Sequence, residues 1–140
     1  MKRIRLTSAA FALLIVVLAS CSKTDMNTMS PAEAESIIPG NYKVNMYDNG
    51  SGNTAAYENY DFEFQSNGAV VASNGVESYS GVWTITSVNH ADYDKQVKIA
   101  ISGNSDMDAL SHDWFVEDVT DVTLYLTDED ASDIVHFIKN

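Results

Sequence analysis

The chain has 140 residues, 45% of them hydrophobic and 20% charged, with seven Gly and two Pro, which is an ordinary globular composition and enough for one compact core but not two. Eight Lys and Arg stand against twenty Asp and Glu, and three of those cations, Lys2, Arg3 and Arg5, lie at the very start. Without that start the formal charge is -15 (five Lys against twenty carboxylates), which repels phosphate backbones and argues against nucleic acid and against a polybasic membrane patch alike.

The basic opening runs into Ala9 to Ala19, eleven apolar residues without a break. A membrane-crossing helix needs ~20, so the run reads as the hydrophobic region of a signal peptide. Leu18-Ala19-Ser20-Cys21 resembles the lipobox of bacterial lipoproteins, and Cys21 is the chain's one cysteine. The resemblance implies that residues 1–20 are removed, that Cys21 carries a diacylglycerol on its sulfur, and that a further acyl chain such as palmitate sits on its amino group. Several chains anchor durably where one is marginal. Ser22 follows Cys21, where an aspartate would resemble an inner-membrane retention signal. The expected location is therefore a bacterial cell envelope, at the outer membrane, with the periplasmic and surface faces both open.

Residues 21–39 then read as lipidated Cys, polar tether and short helix. Ser30-Pro31-Ala32-Glu33 matches a capping box with Pro at the first helical position, predicting a helix over Pro31 to Ile37 that Pro39-Gly40 ends.

From Gly40 to Asn140 the apolar period is two, interrupted by Gly, Asn, Asp and Ser. The alternation predicts a strand over Asn41 to Tyr47 with Tyr42, Val44 and Met46 inward, and a second over Tyr57 to Phe64 with Tyr60, Phe62 and Phe64 inward. Asn67-Gly68 is a hairpin signal, since both residues tolerate positive φ. A short strand, Ala69 to Ala72, precedes Glu77 to Thr86, where Tyr79, Gly81, Trp83 and Ile85 share a face. Val97, Ile99 and Ile101 form the inner face of the next strand, then Trp114 and Val116, then Val122, Leu124 and Leu126. The last strand, Ile134 to Ile138, is apolar on both faces. About eight short antiparallel strands suit an up-and-down barrel or a sandwich, and closure is favoured because it removes the sheet edges. A membrane barrel needs strands of ~9 to 11 residues, longer than most of these.

Gly40-Asn41-Tyr42, Tyr60-Asp61-Phe62-Glu63-Phe64 with Asn67-Gly68, Gly81-Val82-Trp83-Thr84-Ile85, and Asp113-Trp114-Phe115-Val116 ahead of Val122 to Leu126 resemble the lipocalin-like domain of small bacterial lipoproteins. Lipocalins typically open with Gly-x-Trp, and Tyr42 stands here in place of the Trp. The resemblance spans about Gly40 to Lys139 and implies an eight-stranded barrel that captures a small apolar molecule. Eight strands enclose just enough room for their own side chains or for one small ligand.

Little else points to chemistry. Ser111-His112-Asp113 has the residue types of a hydrolase triad, but neighbours in an extended segment point to opposite faces. His90, His112 and His136 lack zinc-site spacing, and the acidic runs at Asp48, Asp106 and Asp128 fail the EF-hand template. Weak calcium binding by those acidic loops stays open, with solvated turns as the simpler reading. Asp61 and Glu63 share the outer face of one strand, which is not a glycosidase cleft. The expectation is thus a non-enzymatic module with no cofactor and no metal. Its membrane contact is the anchor, and a small hydrophobic or amphiphilic ligand lies at a barrel mouth near Tyr42, Trp83 and Trp114. The alternative is a packed barrel that engages a protein partner, as an interaction or inhibitor module, through its outer surface.

Overall fold

The computed structural model describes residues 30–140. The expected signal peptide, Cys21 and the expected tether lie outside the described residues. Helix α1 (Pro31–Ile37) is followed by β1 (Gly40–Asp48), a single 3-10 turn (Thr54–Ala56), β2 (Asp61–Phe64), β3 (Ala69–Ser73), β4 (Ser78–Ser87) and β5 (Lys95–Ile101). Helix α2 (Ser105–Leu110), β6 (Asp113–Val119), β7 (Thr123–Thr127) and β8 (Ile134–Lys139) complete it. Each strand pairs antiparallel with the next, and β8 returns to β1, giving a closed eight-stranded up-and-down barrel instead of a sandwich. This is the lipocalin-type architecture.

Alternation decides which way each strand faces. Tyr42 and Val44, Phe62 and Phe64, Val70 and Ala72, Trp83 and Ile85, Val97, Ile99 and Ile101, Leu124 and Leu126, and Val135 and Phe137 are all buried. In β8, where both faces are apolar, the register selects Val135 and Phe137 for the interior.

Helix α1 is the expected one, and its capping box is complete. Ser30 N donates to the Glu33 carboxylate at 2.6 Å, and Glu33 N donates to the Ser30 hydroxyl at 3.3 Å. The helix buries Ala34 and Ile38 against one end of the barrel.

Three expectations are corrected, and one element is new. A bulge between Val44 and Met46 shifts the parity of β1, so Tyr47 is buried and Met46 is only half-buried on the outer face. The second strand starts at Asp61, because Thr54–Ala56 and the turn after it bring Tyr57 inward, where its ring meets Tyr47 at 5.0 Å. Val122 has the parity of Leu124 but lies in the turn before β7, and it is 57% exposed. Helix α2 had no expectation at all. It buries Met107 and Leu110, one turn apart, and Asn104 caps it by accepting from Asp106 N and Met107 N.

Candidate binding surface

Strand direction assigns the connections to two ends. Helix α1, the β2–β3 turn and the β4–β5 loop share one end; the 3-10 turn, the β3–β4 turn, α2 and the β7–β8 turn share the other. The interior between them is occupied by side chains. Phe137 meets Tyr42, Phe62 and Phe64 edge-on at 6.2, 5.5 and 5.4 Å, and Phe64 meets Trp83 at 6.0 Å. Such edge-to-face pairs add to what burial of the rings contributes.

The three aromatic residues expected at one mouth are divided between the ends. Tyr42 is buried at the α1 end, where its hydroxyl donates to the Ile38 carbonyl at 2.7 Å. Trp83 shares that end through Phe64, and its indole N–H donates to the Gln65 carbonyl at 2.9 Å. Trp114 belongs to the α2 end, bonded to the Leu110 carbonyl at 3.0 Å. Each polar ring atom is thus engaged by backbone of the segment that closes its end.

At the α1 end Lys139 also donates to the Ile37 carbonyl at 2.8 Å, and its ammonium lies 5.4 Å from the Tyr42 ring centroid. At the α2 end the Tyr57 hydroxyl donates to the Asp106 carbonyl at 2.8 Å, while Tyr60 and Tyr79 both donate to one oxygen of Glu77 at 3.0 Å. Burial, and next the Glu77 carboxylate, push the Tyr60 phenol up to about 12. Burial alone raises that of Tyr42.

The candidate chemical groups are committed to structure. Ser111 ties α2 to β5: its hydroxyl accepts from Ile101 N at 2.8 Å and donates to the Ile101 carbonyl. Asp113 pairs with Lys98 at 3.1 Å, and the His112 ring lies against Trp114, so the Ser-His-Asp run does not converge. Asp48 and Asp128 accept hydrogen bonds within their own turns, from Gly50 and Gly52 and from Ser132. Among the described residues, no three of His, Cys, Asp and Glu gather in a way that could hold a metal ion.

The outer wall is less uniform than the net charge suggests. None of the chain's twenty carboxylates lies in β3, β4 or β5. In the middle of this wall Val82 is 57% exposed, paired across to Ala69 on one side and Ala100 on the other. Two grooves flank it. One, of about 500 Å³, runs where β5 and β6 part beyond Lys98 and Asp113, and is lined by Lys98, Ala100, His112, Asp113, Phe115 and Glu129 among others. The second, of about 270 Å³, lies between α1 and the β2–β3 turn and is lined by Glu35, Ser66, Asn67, Gly68, Trp83 and Thr84. Phe115 itself faces outward yet is 7% exposed, because Tyr93 and His90 of the β4–β5 loop stack over it at 5.1 and 4.7 Å. Sequence reasoning passed over this wall, although its signal, three consecutive strands without an acid in a very acidic chain, was present.

No family model matches this sequence, and no curated protein does. Among solved structures, the barrel is similar to a DUF4847 family protein from Bacteroides vulgatus, with a TM-score of 0.53 and 15% identity over 76% of this chain and 96% of that one. A lipocalin-like protein from Bacteroides uniformis aligns with a TM-score of 0.49 and 18% identity, over 73% of this chain and 97% of that one.

Proposed function

We propose that this chain is a lipid-anchored protein of the bacterial outer membrane that binds another protein through the outside of a packed barrel, and is not an enzyme. One observation carries the reading: the barrel interior is filled by its own aromatic side chains, and the segments that close its two ends bond to Tyr42, Trp83 and Trp114. An eight-stranded barrel has little room beyond its own side chains, so a filled one has spent the space a calyx would need. The lipobox and the polar tether support the anchoring on Cys21.

Native mass spectrometry of residues 22–140, with Trp fluorescence during titration by a fatty acid and an apolar dye, tests the reading. An apo mass and no saturable response are expected. A co-purifying small molecule or a saturable shift would overturn it in favour of a hydrophobic ligand near those three aromatic residues. Cys21→Ala should abolish both palmitate labelling and membrane association; a variant that stays lipid-labelled on the membrane would refute the anchor.

A further inference from the structure

We infer that the acid-free wall of β3, β4 and β5, centred on Val82, is the docking face, and that its partner is a protein whose apolar contact patch is ringed by Lys and Arg. This rests on the reading of the chain as an interaction module and adds to it a place and a partner chemistry.

The core of a protein interface is depleted of charge, and its rim is polar and wet. On this barrel the core condition is met by Ala69, Val82 and Ala100, which lie side by side across three strands that hold no carboxylate. The rim condition is met by carboxylates around them. Exposed Glu63 stands on β2, across from Val71 of β3, and Glu35 lines the groove on the α1 side. Exposed Glu129 lines the groove on the β6 side, beside the Lys98–Asp113 pair.

The one exposed cation of the wall, Lys98, is already matched by Asp113 at 3.1 Å. What remains unmatched at the rim is negative. Lys and Arg side chains of a partner would enter the two grooves on either side of Val82, where each finds a carboxylate beside an apolar surface that the stem can cover. The net charge of the whole chain would also speed the approach of a cationic partner. A second copy of this chain would bring acidic rim against acidic rim, which the same electrostatics disfavours.

The test is a photo-crosslinking residue placed in the full-length chain in cells, at position 82 and, in separate strains, at positions 122 and 76. Val122 matches Val82 in exposure at 57%, and Val76 is 92% exposed, so accessibility alone favours neither the wall nor Val82. The expected result is one adduct from position 82 and none from the other two. Mass spectrometry of that adduct should map the crosslink to a partner segment with Lys or Arg around an apolar centre. Adding Glu35→Lys, which puts a cation in the groove that a partner Lys or Arg would enter, should lower the adduct yield about tenfold or more, and raised salt should weaken binding of the purified partner.

An adduct between two copies of this chain, or a partner segment without basic residues, would overturn the partner chemistry. Adducts from position 122 or 76 but not 82 would overturn the wall and leave the interaction reading standing. No adduct from any position would overturn the wall, and a ligand found inside the barrel as well would take down the interaction reading with it.

Discussion

A Cβ on Gly81 would overlap the Ala100 carbonyl oxygen and lie 2.7 Å from the Ile101 Cα, both backbone of the neighbouring strand. Neither atom can move without shifting β5. Gly81→Ala should therefore cost about 2–3 kcal/mol, as overpacking does, in urea unfolding of the protein. Gly75→Ala makes a useful contrast: its Cβ meets nothing within 4 Å, and only its φ of +82° opposes the change, for about 1 kcal/mol. Tyr42 carries a second prediction. Its buried phenol ionises less readily than in the unfolded chain, so the folded state holds a proton that the unfolded state loses above pH ~10. That contribution is complete below the unfolded pKa and is lost as pH rises through the folded one. Tyr60, pushed up to about 12, acts in the same direction. Tyr42→Phe should cost about 1–3 kcal/mol at pH 7, because the Ile38 carbonyl loses its donor, and should flatten the decline in stability between pH 10 and 12 seen by urea unfolding.

Among the elements, the two helices are caps that complete the barrel ends, and their stability depends on single residues. Asn104→Ala removes the acceptor for two amide groups and should destabilise α2 by about 1 kcal/mol, measurable as faster amide exchange at Met107 and Leu110. The strands were legible because period two with one face apolar leaves few alternatives, and α1 was legible because Ser30, Pro31 and Glu33 carry its start in the text. Helix α2 was hidden for a physical reason. Six residues offer a single apolar pair, Met107 and Leu110, and that pair acquires meaning only when a barrel end is there to receive it. The bulge in β1 was hidden likewise, since the partner strand β8, far along the sequence, decides whether Met46 or Tyr47 turns inward. Tyr42, Trp83 and Trp114 looked equivalent because alternation reports the face of a sheet and not the position along a strand at which each ring ends up.

For the molecule as a whole, the acidic surface sets two opposing pH effects. Glu33, Asp61 and Asp128 sit below the usual carboxylate range. For Glu33 the cause is first the Ser30 backbone amide, and for Asp61 first the Lys43 ammonium; at Asp128 burial pulls upward, but hydrogen bonds led by the Ser132 hydroxyl outweigh it. Their contribution is complete above the unfolded pKa of about 4 and is lost as pH falls through the lower folded values. Self-repulsion works the other way and is relieved toward the pI near 4.3. Thermal unfolding should thus show a Tm that rises as pH drops from 7 toward 5 and then falls steeply below 4. At pH 7, raising salt from ~0.01 to ~0.15 M shortens the screening length from ~30 to ~8 Å and should raise Tm. Ring closure through β1 and β8 has a kinetic meaning as well. Seven of the eight strand pairs join neighbours in sequence, but Val44 must find Phe137 across nearly the whole described chain. Loop-closure entropy makes that pairing slow. Until it forms, the sheet is open and presents two unpaired edges, so the half-built barrel, and not the finished one, is the species that needs protection from its neighbours during synthesis.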